Sequence, residues 1–328
     1  MRILLTGGAG FIGHHIVEHL LKTTAHSIVL LDRLDVSGNL NRIGDVLLQF
    51  TANVGSRLVW VYHDFKAPIS EMVAKRIGDI DLVLHIGAST HVDRSITDPM
   101  SFVMDNVVGT ANVLDYIRVY QPSATMIYFS TDEVFGPANE HTSYTENARY
   151  NSRNPYAATK AGGEELCIAY ANTYGLDIRV THCMNVFGER QHKEKFIPLV
   201  VKNVLKGETV FIHADKLKQK AGSRFYIHAR NVADAVMFVN INGVKGEKYN
   251  IVGALEVDNL TLAIEIAKYL GQPLRYELID FHSSRPGHDL RYALDGRKME
   301  QMGWKAPVDF WASLEKTVHW TADHQEWL

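Results

Sequence analysis

Short, mainly apolar runs of strand-like pattern alternate along the chain with longer amphipathic ones. The runs at 2–6, 27–31, 58–62, 81–86, 125–129 and 178–181 have strand length, whereas 11–21, 69–77, 102–119 and 156–174 carry apolar residues at helical spacing. Strands that are apolar on both faces belong to a parallel sheet covered by helices on either side. The predicted class is therefore α/β, a doubly wound parallel sheet. Past residue 185 the alternation weakens, with predicted helices at 196–205, 231–239, 260–270 and 309–320 forming a smaller C-terminal lobe. Segments around 225–255 return to the sheet in this reading, and 216–220 is a solvated loop.

The first apolar run ends in Gly7-Gly8-Ala9-Gly10-Phe11-Ile12-Gly13, and a helix follows. Glycines there allow a tight turn and a close backbone approach to pyrophosphate, and the helix N-terminus attracts negative charge. The sheet is thus of the Rossmann type, with residues 1–184 as a dinucleotide-binding domain and 185–328 mainly a substrate-binding lobe. Asp32 closes the second strand, where a carboxylate accepts hydrogen bonds from ribose hydroxyls and repels an extra phosphate. NAD is expected rather than NADP. Arg33 follows and could stack on adenine or offset that repulsion.

Two further clusters carry chemistry. Tyr156 and Lys160 sit four apart in a predicted helix and share a face, so the ammonium could lower the phenol pKa and let tyrosine take a proton from a sugar hydroxyl as hydride leaves its carbon. Tyr62 and Lys66 have the same spacing, but Pro68 argues against a helix there and no chemistry is assigned. Thr131, Asp132 and Glu133 lie just past the strand at 125–129. Adjacent residues of a strand face opposite ways, so two acids that act together must lie beyond the strand, on a turn or helix start.

Composition narrows the classes. The 328 residues are 46% hydrophobic, enough for a sizeable core, and the net charge of −3 gives no general attraction to nucleic acid or acidic membrane. No run approaches the ~20 apolar residues of a membrane helix. The N-terminal apolar stretch is too short and glycine-rich for a signal peptide, and the cytoplasm is the default location. Cys167 and Cys183 form no disulfide framework, and Cys167 is expected in the core. Among 16 histidines, His14 and His15 diverge on a helix, and His85, His91 and Asp93 need no metal; no metal site is expected.

Ser130-Thr131-Asp132-Glu133-Val134-Phe135-Gly136 strongly resembles the signature of nucleotide-sugar 4,6-dehydratases, within the extended short-chain dehydrogenase/reductase family. The stretches at 32–40, 91–96, 194–198 and 285–292 resemble other segments of that family, so the likeness covers most of the chain. It implies Tyr156 and Lys160 as the catalytic pair, Thr131 polarising the reacting hydroxyl, Glu133 as base and Asp132 as acid. The implied reaction converts dTDP-glucose or UDP-glucose to a 4-keto-6-deoxy sugar: C4 is oxidised, water leaves across C5 and C6, and hydride returns to C6. For the cofactor, NAD, the resemblance implies Gly7, Gly10, Phe11, Ile12 and Gly13 at the pyrophosphate end. Asp32, Arg33, Leu34, Asp64, Phe65, Ile86 and Ala88 join Tyr156 and Lys160 along the rest. For the nucleotide-diphospho-sugar it implies Arg224 and Arg285 on phosphate, Asn259 and His288 nearby, Lys195 and Phe196 along the nucleotide, and Asn185 and Thr90 near the sugar. A homodimer through the helices at 102–119 and 156–174 is also implied.

The chain departs from the family pattern at several positions. Ser89 replaces a glutamate, Met184-Asn185-Val186-Phe187 replaces a more polar run, Glu189-Arg190 replaces Pro-Tyr, and 214–222 is longer than usual. Alternatives on the same fold are a 4-epimerase or a UDP-glucuronate decarboxylase, neither of which needs the Asp132/Glu133 pair. A silent dinucleotide sensor would need no Tyr156, Lys160 or acids.

Overall fold

The computed structural model describes all residues except 36, 52 and 281–289. The six apolar runs become strands β1 (Arg2–Thr6), β2 (Ser27–Asp32), β3 (Leu58–Tyr62), β4 (Leu82–His85), β5 (Thr125–Thr131) and β6 (Asp177–Cys183), and Lys248–Ile251 adds β7. All pair in parallel in the order β3-β2-β1-β4-β5-β6-β7. Alternation along β1 sorts its side chains: Ile3 and Leu5 enter one apolar layer, and Leu4 enters the opposite one. Helices α1 (Phe11–Thr23) and later Ala229–Asn242 cover the first face. The second face is covered by α2 (Gly109–Tyr120) and α3 (Pro155–Tyr174).

A third apolar cluster belongs to the smaller lobe, formed by helices Phe196–Lys206, Asn259–Tyr269 and Phe310–Asp323 with the parallel strand pair Val210–Ala214 and Tyr276–Asp280. The run at 216–220 is the turn after the first of these strands, with Lys218 at φ 55 and Lys220 paired to Glu140. Cys167 is fully buried in the layer under α3, as expected.

The expected helix over 102–119 is instead a longer helical run. It begins at Pro99–Val103, passes through a π turn at Met104–Val108, and continues as α2. One extra residue in a turn rotates the side chains that follow. Here Asp105 and Asn106 are both buried, and Asn106 holds the Ser89 backbone at both ends and donates to Thr159 Oγ1 on α3 at 3.0 Å. The loop after β4 is thereby fixed to the helix that carries Tyr156 and Lys160.

β7 was not expected because Lys248-Tyr249-Asn250-Ile251 is no apolar run. Its polar residues complete a buried network instead. Glu164 of α3, fully buried, takes His182 Nε2 at 3.1 Å and Lys248 Nζ at 3.0 Å, and also holds the Tyr150 hydroxyl. His182 Nδ1 meets Asn250 Oδ1 at 3.0 Å. Burial alone would raise the Glu164 pKa, but the His182, Lys248 and Tyr150 partners outweigh it and bring the carboxyl down to about 2. A depressed carboxylate pKa gives stability that is present above ~4.5 and lost as pH falls towards 2, ~3 kcal/mol in this case. Glu164→Gln should cost ~3 kcal/mol in urea unfolding at pH 7, because the part-buried Lys248 ammonium loses its counterion and the His182 bond loses its charge. Below pH 3 the difference from the parent should shrink.

Candidate active site

β1 and β4 are neighbours although β2 and β3 and their helices separate them in the chain, and their carboxyl ends open a crevice there, where ligands of open α/β sheets bind. Two adjoining clefts occupy this edge. The first is lined by Gly7, Gly10, Phe11, Ile12, Gly13, Asp32, Arg33, Phe65, Ile86 and Ala88, among others. Gly7 has φ +70, and a Cβ on Gly13 would lie 2.2 Å from the Gly7 carbonyl oxygen, so both positions require glycine. Gly10 caps α1 without a side chain, and no acid occupies the first turn, which leaves the N–H groups of Phe11, Ile12 and Gly13 for an anion. This cradle fits the pyrophosphate of a dinucleotide.

Asp32 is buried, its carboxylate accepting from Ala9 N at 3.0 Å and Leu34 N at 2.9 Å. Leu34 and Asp64 do not line either cleft. Leu34 turns its N–H onto Asp32 with φ 54, and Asp64 accepts from Lys66 N. Arg33 lines this cleft with its guanidinium engaged by two acids. Its guanidinium meets Asp105 at 2.6 and 2.8 Å and pairs with Asp35, and the Asp105 hydrogen bonds hold its pKa above the usual value despite part burial. Ser89 donates to the same Asp105 at 2.6 Å. Ser89 and Arg33 thus share one carboxylate, which comes from the π turn. Arg42, which sequence reasoning missed, lines the cleft too, donating to Ala9 O, Ser37 O and Arg190 O and lying 5.3 Å from the Trp327 ring.

The second cleft gathers Thr131, Asp132, Glu133, Tyr156, Lys160, Asn185, Lys195 and Phe196, and shares Phe11, Ile12, Ile86, Ala88 and Thr90 with the first. β5 ends at Thr131, and a 3-10 turn over Asp132–Phe135 follows, so both acids leave the strand's alternation, as expected. Thr131 Oγ1 accepts weakly from Glu133 N at 3.4 Å and donates to Asp132 Oδ1 at 2.9 Å. Asp132 Oδ2 is buried without a hydrogen-bond partner among the described residues. Burial raises the Asp132 carboxyl to about 6, and burial plus the Asp132 charge raises Glu133 to about 7. Two carboxyls this close titrate as a unit, which holds one proton between those values.

Lys160 Nζ lies 4.3 Å from the centre of the Tyr128 ring, and burial brings its pKa down to about 8. The Tyr156 phenol, expected to be lowered by Lys160, is pushed up instead. Burial and the Glu133 charge outweigh a hydrogen bond with Thr131. Two missed residues set the helix in place: Asn154 caps α3 and donates to Glu133 Oε2 at 3.0 Å, and Ser95 Oγ accepts from Tyr156 N at 3.1 Å. An Asn directly before Pro155 is a helix-start signal that could have marked the first.

Of the expected substrate residues, Arg224 and Asn259 line neither cleft. Arg224 donates to Ser223 O and Leu290 O and lies over Tyr292, while Asn259 accepts from the Tyr226 hydroxyl at 2.7 Å; it is Tyr226 that faces the second cleft. Arg285 and His288 lie outside the described residues. His14 and His15, expected to diverge, instead have ring centres 4.0 Å apart, and the His228 ring lies 5.7 Å from His15. His85 sits between Thr6 and Thr110, His91 lies 3.4 Å from Glu194, and no group of three His, Cys, Asp or Glu among the described residues is placed to hold a metal.

Comparison with known proteins matches this arrangement. The family model of GDP-mannose 4,6 dehydratase matches residues 4–317. The dTDP-glucose 4,6-dehydratase 1 of Escherichia coli K12 is 34% identical over 354 residues, covering 100% of this chain and 94% of that one. The Streptomyces antibioticus dTDP-glucose 4,6-dehydratase is 35% identical over 335 residues, with 100% and 94% coverage. Among solved structures, DesIV, the dTDP-glucose 4,6-dehydratase of Streptomyces venezuelae with NAD bound, superposes with a TM-score of 0.88 at 35% identity over 100% of this chain and 98% of its own. The Bacillus anthracis dTDP-glucose 4,6-dehydratase in complex with NAD gives 0.87 at 30% identity, with 100% and 98% coverage. With its glycine cradle, its Tyr156/Lys160 helix and two acids on one turn, the chain belongs to the GDP-mannose 4,6-dehydratase family, the nucleotide-sugar 4,6-dehydratases of the extended short-chain dehydrogenase/reductase type.

Proposed function

We propose that this chain is an NAD-dependent nucleotide-diphospho-hexose 4,6-dehydratase, with dTDP-glucose the substrate that its relatives' names support. The observation that carries the reading is the presence of Asp132 and Glu133 on the same cleft as Tyr156 and Lys160, beside the glycine cradle. Oxidation or epimerisation at C4 alone has no use for two carboxyl groups that share one proton. Elimination of water needs an acid and a base at once.

Bound NAD supplies the hydride acceptor for C4, the hydride later delivered to C6, and a positive charge beside the phenol. That charge offsets the burial and the Glu133 charge that raise the phenol, so Tyr156 acts as phenolate and takes the C4 hydroxyl proton, with the Thr131 hydroxyl against it. The resulting C4 ketone makes the C5 proton acidic. Glu133 removes that proton while Asp132 protonates the C6 hydroxyl, which leaves as water, and Glu133 returns its proton to C5 as C6 is reduced. Lys195 and Phe196, at the start of a lobe helix on the cleft wall, are proposed to lie along the nucleotide, with Thr90 and Asn185 near the sugar. A homodimer through the outer faces of α2 and α3, where Tyr120 and Tyr174 are exposed, belongs to the same proposal.

Incubation with a panel of sugar nucleotides should yield one product lighter by one water, with dTDP-glucose turned over fastest; a product of unchanged mass would instead identify an epimerase. Glu133→Gln should still oxidise C4, building up absorbance of the reduced cofactor, while deuterium uptake at C5 falls ~100-fold or more. Asp132→Asn should slow water loss more than oxidation. The pH profile of C5 exchange should be a narrow bell: below about 6 both carboxyls are protonated and no base remains, and above about 7 both are charged and no acid remains.

A further inference from the structure

Neither the reaction scheme nor the signature of the turn explains why Glu133, rather than Asp132, should be the partner that starts out charged. The two carboxyls are neighbours in sequence and share one low-dielectric cleft, where burial and the Asp132 charge raise Glu133 further than burial raises Asp132, an order that by itself would leave the proton on Glu133. The hydrogen bonds around each carboxyl oppose that order. What differs is what touches each of them. One oxygen of Glu133 receives an N–H from Asn154 at 3.0 Å. On Asp132, one oxygen receives the Thr131 hydroxyl at 2.9 Å and the other is buried with no partner among the described residues.

The Asn154 amide has no freedom to reverse. Its Oδ1 accepts from Ala157 N at 2.8 Å as the N-cap of α3, and its backbone carbonyl takes Ala158 N at 3.0 Å. An amide whose oxygen is spent on a helix cap presents only its NH₂ on the other side. A group that can donate and not accept favours a carboxylate over a carboxylic acid. A serine or threonine hydroxyl, as on the Asp132 side, can turn to donate or accept and suits either form. The bare Asp132 Oδ2 is meanwhile where a negative charge would be costliest and an O–H least so.

We propose that Asn154 is a positioning residue that keeps Glu133 as the charged base and thereby leaves the shared proton on Asp132, the acid. The inference rests on the dehydratase reading above and deepens it. One rigid cap at the start of α3 then sets three things together: the helix register, the place of Tyr156 two residues on, and the charge state of Glu133. No proton or electron passes through Asn154.

Two variants separate this role from plain capping. Asn154→Ser keeps a capping hydroxyl but removes the amide donor, and Asn154→Asp caps as well as asparagine but sets an acceptor oxygen against Glu133. With Asn154→Ser, C5 deuterium exchange at pH 6.5 should fall about tenfold, the loss of one hydrogen bond to a charged group. The acidic limb of its pH profile should move up by ~1 unit. Asn154→Asp should fall further, while C4 oxidation, read as reduced-cofactor absorbance, is slowed much less in both. Exchange and pH profiles like those of the parent in both variants, or equal loss of oxidation and exchange, would overturn the proposal. As a check that does not depend on how the variants fold, carboxyl carbon NMR of the parent enzyme, assigned with Glu133→Gln, should show Glu133 charged and Asp132 protonated near neutral pH; the reverse order would equally overturn it. A parent enzyme that releases no water from any sugar nucleotide sinks the dehydratase reading itself. A parent that does, with indifferent Asn154 variants, sinks only the present inference.

Discussion

The site depends on where β5 stops. A strand sends successive side chains to opposite faces, and two more residues of extended backbone would have buried one acid in the layer under α3 and turned the other to the opposite layer. Thr131 ends the strand by placing its hydroxyl over the next turn, and a single 3-10 turn brings both carboxyls to the sheet's carboxyl edge. Everything else at that edge is arranged around this turn: the glycine cradle from β1, the loop after β4 held by Asn106, and Tyr156 at the start of α3.

Placing two carboxyls, a phenol and an ammonium in one dry cleft is costly, and the protonation states record it. Burial raises both acids and the phenol and lowers the lysine, each toward its neutral form. The same α3 carries, one turn past Lys160, a carboxylate in the opposite condition. Glu164 is as deeply buried as any of these groups, yet stays charged because His182, Lys248 and Tyr150 surround it. One helix therefore holds a strained end facing the ligand clefts and a satisfied end anchored to the edge strand, in keeping with local frustration at functional sites.

The central sheet was legible because most of its first six strands are short, mainly apolar runs between amphipathic helices, the length and pattern of a strand buried on both sides. β7 was not, since Lys248 and Asn250 are used for polar contacts inside the fold and leave no hydrophobic pattern. The catalytic positions were readable from their spacing and from family resemblance. Their surroundings were not: Asn154, Ser95, Asp105 and Arg42 act through contacts that join distant parts of the chain. Arg33 shows the limit well. Its place beside Asp32 put it on the cofactor cleft, but the carboxylate that orients it comes from a π turn more than seventy residues later and could not be read from its neighbours. Asn259 likewise reaches the second cleft only through the Tyr226 hydroxyl, and Arg224, though it lines neither cleft, is close enough for its charge to act on Asp132 and Glu133.

Arg42 joins regions that the sequence keeps far apart. A single guanidinium touches the carbonyls of Ala9 in the glycine loop and Arg190 on the lobe side, and its face rests near the Trp327 indole. Loop, lobe and final turn of the chain therefore share one rigid joint. An indole at such a joint is a built-in optical gauge: whatever shifts the glycine loop alters the surroundings of a fluorophore some three hundred positions downstream.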